Sequence, residues 1–177
     1  MQKLNLLTKS RALRSSLSYY SAYILLGLTG AFLGPVLPFL ADQTQTSLAD
    51  ISIIFVASST GYLIGAFFSG RAFGRWPGNA IIALAVLLLA GILAVIPWAL
   101  TLATLIVLVS FLGFTQSAID VGANTLILNV HGHKAGPYMN ALHFFFGLGA
   151  LLAPIVVAQV LVRIGEIDWV FWIFALL

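Results

Sequence analysis

Gln116, Asp120 and Asn124 stand four residues apart in the stretch Q-S-A-I-D-V-G-A-N-T-L-I-L-N that runs from Gln116 to Asn129. On a helix this spacing puts all three on one face, one turn apart. Asp120 is the one acid set inside an apolar run; Asp42, Asp50, Glu166 and Asp168 fall between such runs. A carboxylate in hydrocarbon is costly, so by default it faces a protein interior or a water-filled cavity and marks a functional site. The competing reading is a structural clasp between helices, worth only about 0.6–2 kcal/mol per contact. A carboxylate is a poor choice for a mere clasp, so a substrate or coupling-ion site is expected, with Asp120 titrating or binding Na+.

A second polar stripe lies in Y-M-N-A-L-H-F-F-F-G-L-G-A-L-L-A-P, from Tyr138 to Pro154. Asn140 and His143 are three residues apart and could both meet the first stripe. Asn offers two donors and an acceptor, and neutral His one of each. With Asp120 and Asn124 they make a surface suited to a sugar or polyol. Phe144, or its neighbours Phe145 and Phe146, could stack on the apolar side of a sugar ring; lipid or core packing accounts for the other two. His143 read alone is equally a satisfied interior histidine. His131 and His133 suggest a metal, but two ligands without Cys or a nearby carboxylate make a weak site, and none is expected. No cofactor is expected beyond a coupling ion, Na+ or H+. Ser58 and Ser59 have no His–carboxylate pair in a plausible order, and no Gly-rich phosphate loop with a Lys appears, so the chain does not read as an enzyme.

The elements that must position these residues follow from composition. Of 177 residues, 61% are hydrophobic and 7% charged, with a mean hydropathy of +1.08. An ordinary soluble domain is about 25% charged, so the solvent here is lipid and the fold class is an all-α membrane protein. The basic residues sit at segment ends and form no stripe, which excludes a nucleic-acid surface. With no Cys, thiolate metal sites and disulfides are excluded too. A spanning helix needs roughly 20 apolar residues. The pattern predicts an N-terminal segment over 1–16, then a transmembrane half over 17–177. Its five complete helices run about 17–40, 48–68, 79–97, 100–130 and 136–162, and an incomplete sixth occupies 169–177. The first run is too long for a signal peptide and is read as retained. Backbone groups cannot end unsatisfied in mid-bilayer, so a missing C-terminal half or a second copy is expected to cover the end.

Basic residues set the orientation. Lys3, Lys9, Arg11, Arg14, Arg71, Arg75 and Lys134 fall on one predicted side and only Arg163 on the other. The N-terminus is therefore expected in the cytoplasm, in a multi-pass protein of the plasma (inner) membrane. Tyr19, Tyr20, Trp76 and Tyr138 are expected as inner-interface anchors, and Trp98, Trp169 and Trp172 as outer ones. Gly27, Gly30, Gly34, Gly61 and Gly65 have the spacing of closely packed helices. Two groups of three spans form the pattern of a transporter half built from inverted repeats.

Asp120-Val-Gly-Ala-Asn124-Thr, with Gly136-Pro-Tyr-Met-Asn140-Ala-Leu-His143-Phe-Phe-Phe-Gly147, resembles the major facilitator superfamily. The likeness extends from Ala31-Phe32-Leu33-Gly34-Pro35 to Asp168-Trp169-Val170-Phe171-Trp172, and is greatest to the sugar-transporting group of fucose permeases and sodium-dependent glucose transporters. It implies the N-terminal half of a cation-coupled sugar transporter, in which Asp120 couples cation movement and Asn140 and His143 touch sugar. It also implies a cytoplasmic gating loop at Arg71, Gly74 and Arg75, where Gly74 replaces the family's usual Asp. The acid that fucose permeases carry late in the first span is absent. The alternative is a non-transporting helical subunit, or gene remnant, that binds a membrane partner.

Overall fold

The computed structural model describes residues 2–177, with side chains from residue 11 onward. Among them the secondary structure is wholly helical: α1 (Gln2–Ala31), α2 (Leu33–Thr44), α3 (Leu48–Ile51), α4 (Ile53–Ala72), α5 (Gly78–Val95), α6 (Leu102–His131), α7 (Ala135–Arg163) and α8 (Asp168–Leu176). Three stretches are long and apolar enough to cross a membrane: Leu48–Ala72, Gly78–Trp98 and Leu102–Arg163. The bent pair α1 and α2 makes a fourth if it is taken as one span.

Local chemistry sets the breaks. Pro35 has no N–H, and its ring crowds the carbonyl four residues back, that of Ala31. Helix α1 stops there, and α2 leaves at 48°. The break therefore falls at Phe32, inside the stretch 17–40 that the sequence pattern predicts as one helix. The Ser47 hydroxyl accepts from Asp50 N at 3.1 Å and donates to Asp50 Oδ2 at 2.6 Å, which caps α3. Thr101 Oγ1 accepts from Thr104 N at 3.2 Å and starts α6. Helix α6 ends on Gly132, whose φ of +52° suits a residue without Cβ.

The 62 residues of Leu102–Arg163 are two helices, α6 and α7, and the chain reverses between them at this glycine. His131 lies beside Ser16 and Gln116 beside Thr29, so α6 runs antiparallel to α1. Phe145 stacks on Tyr20, and Gly149 meets Ile24, so α7 runs parallel to α1. Helix α4 runs with α6, since Ser58 meets Gly113 and Gly65 meets Ser117. Helix α5 runs against α6, with Gly78 at Leu126 and Ile82 at Gly122. Arg14, Arg71, Arg75 and Lys134 thus share one end of the bundle, and Asp42, Asp50, Arg163, Glu166 and Asp168 the other. Lys3 and Lys9 lie outside the residues whose side chains are described.

Two helix pairs approach to backbone contact. A Cβ on Gly27 would meet the Phe146 carbonyl and Ala150 N, and one on Gly149 the Ile24 carbonyl, which joins α1 to α7. Gly61 and Gly113 play the same part between α4 and α6, against the Ser110 and Ser58 carbonyls. Gly34, by contrast, is exposed, and a Cβ on it would meet nothing within 4 Å. A large apolar core fills the end where α2 and α8 pack, around Phe32, Leu89, Leu93, Phe171 and Phe174. There Gln43 Nε2 donates to the Ile96, Pro97 and Ala99 carbonyls at 3.2, 3.1 and 2.9 Å, tying α2 to the turn after α5. A smaller core of Tyr19, Tyr23, Leu26, Ile82, Ala123, Ile127 and Leu142 closes the other end. Tyr19 and Tyr20 are therefore not free interface anchors. Tyr19 is buried and donates to Asn79 Oδ1 at 2.9 Å, and Tyr20 stacks on Phe145. Their face of α1 is the one that packs. Trp98, Trp169 and Trp172 do cluster together at the α8 end.

Candidate functional site

The polar stripe of α6 faces α1. Ser16, Tyr23 and Thr29 lie about two turns apart along α1, and they meet His131, Asp120 with Asn124, and Gln116 in turn. Buried polar atoms have to find partners, and each stripe supplies the other's. Ser16 Oγ lies 2.7 Å from His131 Nε2, and the His131 ring stacks on Tyr138 at 3.4 Å. Gln116 Nε2 donates to the Thr29 carbonyl at 2.8 Å and lies 3.2 Å from Thr29 Oγ1. That carbonyl is one of the last four of α1, which have no intrahelical donor.

Asp120 lies at the middle of this ladder. Tyr23 of α1 donates to Oδ1, and Tyr62 of α4 donates to Oδ2. Asn124 Nδ2 donates to Oδ1 at 2.9 Å and also to the Tyr23 hydroxyl. Both carboxylate oxygens therefore have donors from neutral groups on three helices. Such a shell stabilises a charge without cancelling it.

Beside the carboxylate is an open cavity of about 310 Å³, at the small end of the roughly 300–1,000 Å³ typical of small-molecule sites. Its polar wall is Tyr23, Tyr62, Gln116, Asp120 and His143; its apolar wall is Leu26, Gly30 and Phe146. No Lys or Arg is among the lining residues. Gly30 lies on that apolar wall, where a Cβ would stand in ordinary contact with the Phe146 ring, at 4.0 Å.

The structure thus gathers Gln116, Asp120 and His143 on one cavity, with Asn124 hydrogen-bonded behind Asp120. It does not bring every candidate there. Asn140 is exposed on α7 and does not line the cavity. Phe144 is 66% exposed and points elsewhere, while Phe146, two residues on, forms the aromatic wall. The gating-loop candidates lie apart from the cavity. Arg71 sits 3.8 Å over the Phe67 ring, and Gly74 and Arg75 are exposed. Among the described residues no group of three or more His, Asp or Glu side chains could hold a metal.

Two members of the site were missed from sequence. Tyr23 and Tyr62 sit in apolar runs where a tyrosine reads as core or interface. The usable signal for Tyr23 was its seven-residue spacing from Ser16, which sets both on one face of α1. Nothing comparable marks Tyr62.

A profile of the Major Facilitator Superfamily matches residues 19–177. The chain is 38% identical over 136 residues to sodium-dependent glucose transporter 1A of Mus musculus, covering 77% of this chain and 32% of that protein. It is 39% identical over 125 residues to sodium-dependent glucose transporter 1 of Xenopus laevis, covering 71% and 26%. It is 34% identical over 148 residues to major facilitator superfamily domain-containing protein 4A of Mus musculus, covering 82% and 29%. The chain thus spans about a third or less of these relatives, over their N-terminal part. No solved structure gives a significant match.

Proposed function

The chain belongs to the major facilitator superfamily, and from that premise we propose that it forms the N-terminal half of a cation-coupled transporter for a sugar or similar polar small molecule. In this reading it contributes five membrane crossings and the start of a sixth, with the N-terminus in the cytoplasm and the bilayer that of the plasma membrane. It performs no covalent chemistry. A C-terminal half or a second copy completes the cavity, and the halves rock around a mid-membrane site.

The observation that carries the proposal is Asp120, a carboxylate at an open cavity whose hydrogen-bond donors are all neutral. Such a group is poised to take Na+ or H+. Gln116 and His143 line the same cavity and would address sugar hydroxyls, while Asn124 holds the carboxylate. The face of Phe146 replaces Phe144 as the surface for the C–H side of a ring. Asn140 would act nearer the mouth, and Arg71, Gly74 and Arg75 in a cytoplasmic gate. The names of the relatives favour glucose and Na+.

The test is uptake in cells expressing the full-length protein that carries this sequence, with a panel of sugars and with Na+ and pH varied separately. Asp120→Asn is expected to abolish cation-driven accumulation while leaving membrane insertion intact. Unchanged accumulation in that variant would refute the coupling role.

A further inference from the structure

The helices around Asp120 form two units of unequal internal tightness. Within α1 and α7, and within α4 and α6, backbones touch through Gly27, Gly149, Gly61 and Gly113. Between α1 and α6 there is no such backbone approach at a glycine. That seam is made of side chains, the apolar members Leu26, Ala123 and Ile127 and the polar ladder. Asp120 has one tie on each side of it. Tyr62, on α4, belongs to the same pair as Asp120; Tyr23, on α1, belongs to the other.

The two hydroxyls also differ in how fully they are used. Tyr23 donates to Asp120 and accepts from Asn124, so it is fixed at both ends. It is 1% exposed and edge-on to Phe146 and His143. Tyr62 has Asp120 Oδ2 as its one side-chain partner among the described residues. When the carboxylate takes a proton or a cation, the charge that draws in both hydroxyls is spent. Within α4 and α6, glycine packing still holds Tyr62 in place. Across the seam, the tie between Tyr23 and Asp120 is what weakens. The groups facing the carboxylate are Tyr23 from α1, Tyr62 from α4 and His143 from α7; α5 contributes none to the cavity.

We propose that Asp120 and Tyr23 form a latch between the two helix pairs, which holds the α1–α6 seam shut while the carboxylate is charged and releases it on neutralisation. Tyr23 is then a positioning residue that passes the state of Asp120 to α1 and α7. The inference rests on the reading of Asp120 as the cation-coupling group. It adds a movement inside this half of the protein.

The chain has no Cys, so spin labels attach only at introduced sites. Labels at the exposed Leu17 of α1 and Leu128 of α6 report the seam. A second pair at the exposed Leu63 of α4 and Phe111 of α6 reports the tight unit. Distances are measured in lipid nanodiscs, without sugar, for the wild type, Asp120→Asn, Tyr23→Phe and Tyr62→Phe. Asp120→Asn and Tyr23→Phe are each expected to shift the seam distance by roughly 1–2 Å, the size of helix shifts at packed interfaces. Tyr62→Phe should leave it at the wild-type value, and the α4–α6 distance should stay constant throughout, which also certifies the fold. The latch is overturned if Asp120→Asn leaves the seam unmoved, if Tyr62→Phe moves it as far as Tyr23→Phe does, or if both distances move together. Because no transport is measured, a sugar-uptake failure and a latch failure are read separately.

Discussion

Replacing Gln116 by Leu should destabilise the bundle, although a hydropathy argument gives the opposite sign. Leu is favoured over Gln in lipid, and the two are similar in size. The site itself decides the outcome. Gln116 is 6% exposed, and its Nε2 is the donor, at 2.8 Å, to a carbonyl that α1 leaves unpaired where it breaks. Thr29 is fully buried, and its hydroxyl is turned back onto the Leu25 carbonyl at 2.9 Å. It cannot rescue its own backbone. A leucine of similar volume would remove the donor and also keep water from the gap. Leaving a buried acceptor unsatisfied costs about 1–3 kcal/mol, and interhelical hydrogen bonds in membrane bundles reach about 1.7 kcal/mol. A loss of about 1–2 kcal/mol follows. The assay is reversible denaturant unfolding of the purified chain in mixed micelles, with Asn129→Leu as the control on the same helix, where the side chain is exposed. Gln116→Leu as stable as the wild type, or more so, would refute the claim that this amide caps α1. Equal losses in both variants would refute the claim that burial sets the cost.

Two further outcomes follow from the same geometry. Gly113→Leu would drive a side chain into the Ser58 carbonyl and Tyr62 N. It should cost at least the roughly 1–3 kcal/mol of an overpacked core by the same unfolding assay, whereas Gly91→Leu, with nothing within 4 Å, should be near neutral. Under the proposed transport function, Phe146→Leu should raise the KM for sugar about 2–10-fold, the equivalent of an aromatic contact of about 0.5–1.5 kcal/mol. Cation dependence should be unchanged, and Phe144→Leu, outside the cavity, should behave as wild type.

The sequence made the helical class legible because lipid leaves few alternatives: at 61% hydrophobic residues, spanning segments must satisfy their own backbones. It also made the α6 stripe legible, because polar residues at i, i+4 and i+8 in an apolar run stand out against their background. Three things were not legible. The bend at Phe32 depends on which carbonyl Pro35 crowds, and the sequence pattern shows the proline but not the residue that yields. The choice of Phe146 over Phe144 depends on the rotation of α7, which Gly27 and Gly149 set by bringing α1 against one face. Three consecutive phenylalanines carry no phase of their own. The tyrosines were hidden because a ring in an apolar run is ambiguous until its hydroxyl has a partner.

The partners of Asp120 change how its isolation in the sequence is to be understood. An acid expected late in the first span is missing, and by charge alone Asp120 stands unsupported. Helix α1 supplies Tyr23 instead, and α4 supplies Tyr62. A second carboxylate would have repelled the first and favoured a shared proton. Two hydroxyls instead donate to the two oxygens of Asp120, and they do so from helices on opposite sides of a seam. Neutralising a single carboxylate therefore alters a contact between helices as well as a local charge. That gives one acid a way to act on the bundle that does not depend on a second acid.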